Sequence, residues 1–417
     1  MDLVDGTDTI SSEDLHRRMV EQLIEDHAGK GLVMRPEVEA ALRVVRRHQF
    51  TPGVPLEEAY GPYSAVVTKR RGDEAISSVS APSLIAAMLG QAADALDGIE
   101  GRHVLEIGSG GYNAALLREL VGPAGSVTTV DIDPDVTDRA SACLTAAGYD
   151  DIRVVCTDAN QPIDAGRRYD LIIVTVGAWD IPPAWTSQLT DTGVLVVPLR
   201  TFGMTRSWAL RLHGDRLVSH SQQICGFVAM QGSGAHELRY VDIADGVHLR
   251  LDEGEQVDAD AIGALLTAPR QQAWTGVSLP PRTVLADLDL WLAACLTAEA
   301  GQFVILTAQQ EAVDAGTVSP AWRFGTPAVV GDGTICYRSA LAWTGDLFDL
   351  GACAHGPAAA AAAGRMVAHM RAWADAGEPA PVLHVLPAST PDGDLPAGTV
   401  LDKRDRRLVL TFTPAPA

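Results

Sequence analysis

The stretch His103-Val-Leu-Glu-Ile-Gly-Ser-Gly-Gly-Tyr-Asn113 joins an apolar run to three glycines. Val104, Leu105 and Ile107 predict a buried parallel strand. Gly108, Gly110 and Gly111 follow at once, and residues 114–121 read as a helix stopped by Gly122-Pro123. Strand, glycine turn and helix in that order open a doubly wound α/β fold. The glycines let a ligand approach the backbone where no Cβ fits, and the helix N-terminus faces it. The next strand is residues 126–131. It ends on Asp131, 23 residues after Gly108, where an acid can accept hydrogen bonds from both hydroxyls of a ribose.

A dinucleotide and S-adenosylmethionine both fit that arrangement. The dinucleotide fingerprint asks for a third glycine, for close helix–strand packing beside the pyrophosphate. That position is Asn113, larger and polar. S-adenosylmethionine needs no diphosphate cradle, and Glu106, just before the turn, is a candidate partner for its ammonium group. A tight strand-to-helix turn without any ligand is the third alternative, and the glycines alone do not exclude it.

At 417 residues the chain is long enough for two domains, each with its own core. It is 47% hydrophobic and 20% charged, an ordinary globular balance. No apolar run approaches the roughly 20 residues that span a bilayer. The acidic, polar N-terminus does not read as a signal peptide, so a cytoplasmic protein is expected. A net charge of −21 argues against nucleic acid as a partner, because phosphate binding is driven by Lys and Arg. The cysteines (Cys143, Cys156, Cys225, Cys295, Cys336, Cys353) form no C-x-x-C pair and suit no zinc template, so buried reduced thiols and no metal are expected.

Residues 1–10 are expected to fray. Ser11 or Ser12 can cap a helix to about Ala28, ended by Gly29 and Gly31, and Arg35-Pro36 starts a second helix ending near residues 48–52. Residues 65–76 read as a hairpin turned at Gly72-Asp73, with Lys69, Arg70 and Arg71 as a basic cluster, either a solvated turn or a contact for an acidic peptide. Downstream come a helix at 134–147 and strands at 152–156, 169–175 and 193–198.

Two segments carry a family resemblance. Val38-x-x-Ala-Leu-x-x-Val-x-Arg-x-x-Phe-x-Pro52 resembles the N-terminal signature of the protein L-isoaspartyl O-methyltransferase family, and Ser78-Val-Ser-Ala-Pro82 resembles its Thr-Ile-Ser-x-Pro motif. The resemblance covers about residues 12–232. It implies a class I S-adenosylmethionine-dependent methyltransferase (Rossmann-like) domain that releases S-adenosylhomocysteine. The family's catalytic serine falls on Ser80, whose hydroxyl would help orient the substrate carboxylate; the alternative is that Ser80 only caps the following helix. Cofactor contacts are implied for Ser78, Glu106, Gly108, Gly110, Gly111, Asp131, Asp158 and Ala159, with Asp158 on the adenine amino group. Gly177-Ala-Trp-Asp-Ile-Pro-Pro183 resembles the loop that closes over the donor, and residues 208–212 and 223–228 resemble the family's last strands, at the sheet edge. The glycine turn is one residue shorter than the family's Gly-x-Gly-x-Gly-Tyr, and residues 60–77 depart from the family pattern.

Residues 1–245 are therefore expected to form the methyltransferase domain and residues 246–417 a C-terminal accessory α+β domain. The second half reads as strands at 247–251, 303–306, 382–386 and 408–412 and helices at 258–266, 283–298 and 357–375, with no catalytic constellation. Leu288-Asp-Leu-Trp-Leu-Ala293, His355-Gly-Pro357 and Thr399-Val-Leu-Asp-Lys403 resemble the C-terminal extension of variant enzymes from lanthipeptide biosynthesis, of the FxLD type. That resemblance implies a modified precursor peptide as substrate and no membrane partner, and leaves the oligomeric state open.

A carboxylate is already ionised at neutral pH, since Asp titrates near 4, so methyl transfer to it needs no general base. The ester can then be attacked by the next backbone nitrogen to close a succinimide (aspartimide). Three readings follow: a peptide-tailoring aspartate methyltransferase, an isoaspartyl repair enzyme with an accessory domain, and a non-enzymatic peptide-binding protein on the same scaffold.

Overall fold

A computed structural model describes residues 11–29, 32–164, 166–299 and 301–413. The fraying expected of residues 1–10 and the Gly31 helix stop lie outside the described residues. The chain divides into two compact units. One runs to Leu199 and includes Thr205–Ala235; the other comprises Arg200–Met204 and the chain from His236 on. The boundary expected between 245 and 246 falls inside a hairpin whose strands pair antiparallel from Leu238 to Asp252.

The first unit begins with α1 (Ser12–Gly29), α2 (Pro36–Val44), a 3-10 turn (Arg47–Phe50) and α3 (Leu56–Ala59). The hairpin β1 (Val66–Arg71) and β2 (Glu74–Val79) leads into α4 (Pro82–Leu96). The alternating part follows: β3 (His103–Ile107), α5 (Tyr112–Val121), β4 (Ser126–Asp131), α6 (Pro134–Ala146), β5 (Arg153–Cys156), β6 (Tyr169–Val174), α7 (Pro183–Ser187) and β7 (Leu189–Thr201). The antiparallel pair β8 (Met204–His213) and β9 (Arg216–Ile224) ends it. Ser11, not Ser12, caps α1: its hydroxyl accepts the Asp14 N–H at 3.1 Å.

Within this unit the strands lie in the order β5-β4-β3-β6-β7-β8-β9. Strands β3 to β7 pair parallel. The chain runs outward from β3 to β5 and then returns to the other side of β3. That reversal is a topological switch point, where open α/β sheets leave a crevice at the carboxyl ends of their strands. Val104, Leu171, Ile173, Val194 and Val196 are fully buried in one core with Leu116, Leu117 and Leu89 of the covering helices. The continuous apolar runs of these strands are what burial on both faces demands.

Two expectations fail locally. The second helix stops at Val44, because Val45 is extended (φ −79°, ψ 114°) and the chain turns inward into the 3-10 turn. Residues 225–228 are not a strand. They leave the sheet after Ile224, and the Val228 carbonyl accepts the Gly177 N–H at 2.8 Å.

The second unit is α+β. Its seven-stranded antiparallel sheet has the order β10 (Leu238–Ala244), β11 (Val247–Asp252), β13 (Gln302–Ala308), β14 (Thr326–Gly331), β15 (Thr334–Arg338), β18 (Gly351–His355), β12 (Gln271–Trp274). A small hairpin, β16 (Ala342–Thr344) with β17 (Leu347–Asp349), and an antiparallel trio, β19 (Ala380–Pro387), β20 (Thr399–Asp402) and β21 (Arg406–Thr413), complete the strands. Helices α8 (Ala259–Leu266), α9 (Leu285–Glu299) and α11 (Ala359–Asp375) are the longer ones, and α10 (Gln310–Asp314) is one turn. The motif residues of this half are absorbed into packing. Asp289 pairs with Arg338 at 2.9 Å, Trp291 meets Phe412 edge-on, and His355 stacks on Tyr337.

Cys143, Cys336 and Cys353 are buried, but Cys156 is exposed where β5 ends at the sheet margin, contrary to the expectation of buried thiols throughout. Among the described residues no group of three or more His, Cys, Asp or Glu is arranged to hold a metal, and no helix is long and apolar enough to cross a membrane.

Candidate active site

The crevice at the switch point is a cavity of about 530 Å³, counting space open to solvent. Ile107, Gly108, Asp131, Asp133, Asp158 and Ala159 border it from the strand ends, and Ile76 and Ala229–Gln231 border it from outside the sheet. A second cavity of about 230 Å³ is lined by Ser78, Val79, Ser80, Glu106, Gly110, Tyr112, Asn113 and Thr175. The glycine turn separates the two, with Gly108 on the larger and Gly110 on the smaller. All nine residues marked from the sequence thus fall on or beside these cavities.

Gly108 and Gly111 have positive φ, +98° and +80°. A Cβ on Gly108 would stand 2.8 Å from the Thr175 hydroxyl, and one on Gly111 would stand 3.1 Å from the Phe50 ring. Gly110 is not constrained in this way; its nearest neighbours, Ser78 and Val79, would be at 3.7 Å. The turn is tied to β4 through Asp131. One carboxylate oxygen accepts the Ser109 N–H and the other the Asp133 N–H, both at 3.0 Å. Burial, the largest influence, holds the Asp131 carboxyl above its ordinary value against these two donors.

Glu106 is completely buried. Its two oxygens accept the Asn113 amide at 2.8 Å and the Thr129 hydroxyl at 2.6 Å. Burial pushes its carboxyl up to about 7, less far than it would without those donors. Asn113, the residue at odds with a dinucleotide fingerprint, is thus the brace for the acid at the end of β3.

Asp158 accepts the Asn160 N–H at 2.9 Å and both the backbone and hydroxyl of Ser233, at 3.2 and 2.7 Å. Burial would raise its carboxyl, but these donors outweigh it and hold it below the ordinary value. The Ala159 carbonyl accepts the Trp185 indole N–H at 2.9 Å. Beside them, Gly177 of the loop expected to close over the donor is hydrogen-bonded on both sides to Val228 and Met230.

Ser80 follows β2 and is half-buried. It does not cap α4: the cap position is Ala81, which makes no side-chain cap bond. The Ser80 hydroxyl has no hydrogen-bond partner among the described residues and borders the smaller cavity. The turn that carries it is held by Arg47, which the N-terminal signature contains with no role attached to it. Arg47 is fully buried and donates to the carbonyls of Ala59 at 2.8 Å, Ser80 at 2.8 Å and Val79 at 3.1 Å. Its guanidinium lies 5.0 Å from the centre of the Tyr112 ring, and burial lowers it to about 10, so it stays charged at neutral pH.

Two residues of the hairpin's basic cluster reach the larger cavity's rim, while Arg70 donates to the Asp73 carbonyl within its own turn at 2.9 Å. Lys69 bridges Asp133 at 2.6 Å and Asp135 at 2.7 Å, and Arg71 donates to Gln231 at 2.7 Å.

These residues fit an S-adenosylmethionine site. Three buried polar atoms around the glycine turn, Ser109 Oγ, Tyr112 Oη and Asn113 Oδ1, have no protein partner among the described residues. Unpaired polar groups in a buried site are costly unless a ligand or water meets them. The turn leaves no room for side chains at Gly108 and Gly111, and an acid stands at the carboxyl end of β4.

A sequence profile of the protein-L-isoaspartate(D-aspartate) O-methyltransferase family matches residues 17–233. Protein-L-isoaspartate O-methyltransferase 2 of Archaeoglobus fulgidus is 31% identical over 233 residues, covering 55% of this chain and 98% of the relative. The protein-L-isoaspartate O-methyltransferase of Methanopyrus kandleri is 33% identical over 219 residues, covering 52% of this chain and 92% of the relative. A crystal structure of a putative enzyme of this name from Plasmodium falciparum, in complex with S-adenosyl-L-homocysteine, aligns at 14% identity over 51% of this chain and 97% of that chain, with a TM-score of 0.43. The chain belongs to the protein-L-isoaspartate(D-aspartate) O-methyltransferase family and is an S-adenosylmethionine-dependent protein carboxyl O-methyltransferase.

Proposed function

We propose that the chain esterifies an aspartate side chain in a ribosomally made, lanthipeptide-type precursor peptide, in the cytoplasm. The observation that carries this reading is the second unit. The family match ends at residue 233, and a further α+β unit starts at His236 with the motifs that resemble the lanthipeptide-associated extension. Isoaspartyl repair is the second reading, favoured by the match over 17–233 and by the relatives' names.

When bound, S-adenosylmethionine supplies an electrophilic methyl group. Asp131 would accept the ribose hydroxyls with the lone pairs its backbone donors leave free. Glu106 would set a negative potential for the donor's ammonium, and Asp158 and Ala159 would border the adenine. Ser78 and Ser80 stand at the smaller cavity, where the Ser80 hydroxyl would hold the acceptor carboxylate in line. Alignment is what this site contributes, because the nucleophile arrives ionised. The ester then loses methanol as the following backbone nitrogen closes the succinimide, which persists or opens to isoaspartate.

Mass analysis tests the reading. The full chain is incubated with S-adenosylmethionine and, separately, the linear precursor peptide, the thioether-bridged precursor and a short isoaspartyl peptide. Gain of a methyl on bridged precursor, followed by loss of methanol, supports tailoring. Methylation of the isoaspartyl peptide alone sinks it in favour of repair.

A further inference from the structure

The sequence Arg47-His-Gln-Phe50 forms a 3-10 turn. Such a turn repeats every three residues, so Arg47 and Phe50 share one face, and both are fully buried. That face touches both sides of the site. Arg47 grips the last carbonyl of β2, at Val79, and the carbonyl of Ser80 itself. Phe50 packs on Tyr112, with ring centres 5.9 Å apart, and fills the space a Cβ on Gly111 would need. The Arg47 guanidinium lies over the same Tyr112 ring, and Tyr112 opens the helix that follows the glycine turn. Val79, Ser80 and Tyr112 all line the smaller cavity.

We propose that Arg47 is a positioning residue for methyl transfer, setting the Ser80 turn at a fixed distance from the donor-binding glycine turn. It touches neither donor nor acceptor. Three carbonyls from two segments converge on one planar group, a geometry that a lysine's single ammonium does not reproduce. The charge-assisted bonds fix the backbone on either side of the Ser80 Cα, so the hydroxyl's place is set by the chain and not by its own side-chain contacts. Phe50 carries the same reference to Gly111. One short turn thus gauges acceptor against donor, where a misplacement of about 1 Å can cost roughly a hundredfold in rate. The proposal rests on the assignment of Ser80 to the acceptor.

The test compares Arg47→Lys and Arg47→Gln in the full chain. Folding is checked by circular dichroism, S-adenosylhomocysteine affinity by calorimetry, and turnover with whichever of the bridged precursor and the isoaspartyl peptide the wild type methylates. Both variants should lose at least tenfold in kcat, with Lys less impaired than Gln and the nucleoside's Kd changed less than threefold. Combined with Ser80→Ala, neither should lower kcat below the Ser80→Ala value, because each acts through that hydroxyl. Hydrogen exchange supplies an arm that needs no acceptor: amides of residues 78–81 should exchange at least tenfold faster, those of 104–113 at the wild-type rate. Unchanged exchange at 78–81, losses that multiply with Ser80→Ala, or kcat and nucleoside affinity falling together overturn the proposal. So does a chain that folds with neither substitution, which would make Arg47 a fold determinant only. Wild-type turnover by Ser80→Ala alone refutes the Ser80 assignment instead, and the exchange arm still reads the clamp.

Discussion

Asn113 donates its side-chain amide to Glu106 at 2.8 Å, joining the first turn of α5 to the end of β3 across the glycine turn. The contact keeps a carboxylate in a place with no solvent. With Thr129 it supplies the only hydrogen bonds recorded to that group among the described residues, one to each oxygen. A buried acid held this way remains costly to ionise, and that cost has a pH signature.

The Glu106 carboxyl titrates at about 7 in the folded protein against an ordinary 4.5. Below pH 4.5 both states carry the proton and no penalty exists. Between 4.5 and 7 the unfolded chain releases it while the folded chain keeps it, so stability falls as pH rises, by about 3 kcal/mol in all. Above pH 7 the curve is level again. Glu106→Gln removes this pH dependence. Urea unfolding should show the variant gaining on wild type across that window; parallel stability curves would contradict the ionisation.

Ser80→Ala should fold as the wild type, because the hydroxyl neither caps α4 nor bonds to a described residue. Turnover should fall roughly a hundredfold through lost alignment, with donor affinity kept. A variant that unfolds earlier but turns over normally would return Ser80 to a structural role.

Asp131→Ala should weaken S-adenosylmethionine binding by about 1.5–3 kcal/mol, the range for hydrogen bonds to a charged acceptor. It should also loosen the glycine turn, since Ser109 loses its partner. Calorimetry reads the first effect and hydrogen exchange at 108–111 the second. Full affinity in the variant would dismiss the ribose contact.

Gly108→Ala places a methyl 2.8 Å from the Thr175 hydroxyl and 3.0 Å from Val176, at a φ of +98°. Strain of this kind costs about 1–3 kcal/mol. The variant should melt earlier and bind donor poorly, whereas Gly110→Ala, with 3.7 Å to its nearest neighbours, should do neither strongly. Equal behaviour of the two would show that the turn relaxes.

The alternating half of the fold was legible because its signals are local: apolar runs of strand length, glycines at once after Ile107, an acid closing β4. Asp131 stood out for the same reason, whereas Ser78 and Ser80 were marked by the family resemblance of their motif. Arg47 lies within the N-terminal signature with no role attached to it, because a helix running on to residues 48–52 does not turn that side chain inward; the observed helix stops at Val44. The Thr129–Glu106 bond depends on strand register, which places those two residues side by side on β4 and β3. Ser233 reaches Asp158 across 75 positions, beyond any periodicity. Residues 225–228 misled because a strand there was implied by the family resemblance, whereas the chain leaves the sheet after Ile224 and braces the loop at Gly177 instead. In the second unit, β14 and β15 turn tightly at Asp332-Gly333, both with positive φ, and such short strands leave little pattern to find.

The hairpin β1–β2 and the segment 229–231 both border the larger cavity, and the Arg71–Gln231 hydrogen bond links them, while Lys69 anchors the hairpin to Asp133. A nucleoside bound in that cavity would have this link on its border. These fastenings are polar and solvent-facing, so dissolved salt competes with them. Release of the product nucleoside should then depend on ionic strength: stopped-flow release of S-adenosylhomocysteine should quicken as salt is added and quicken already in Arg71→Ala without it.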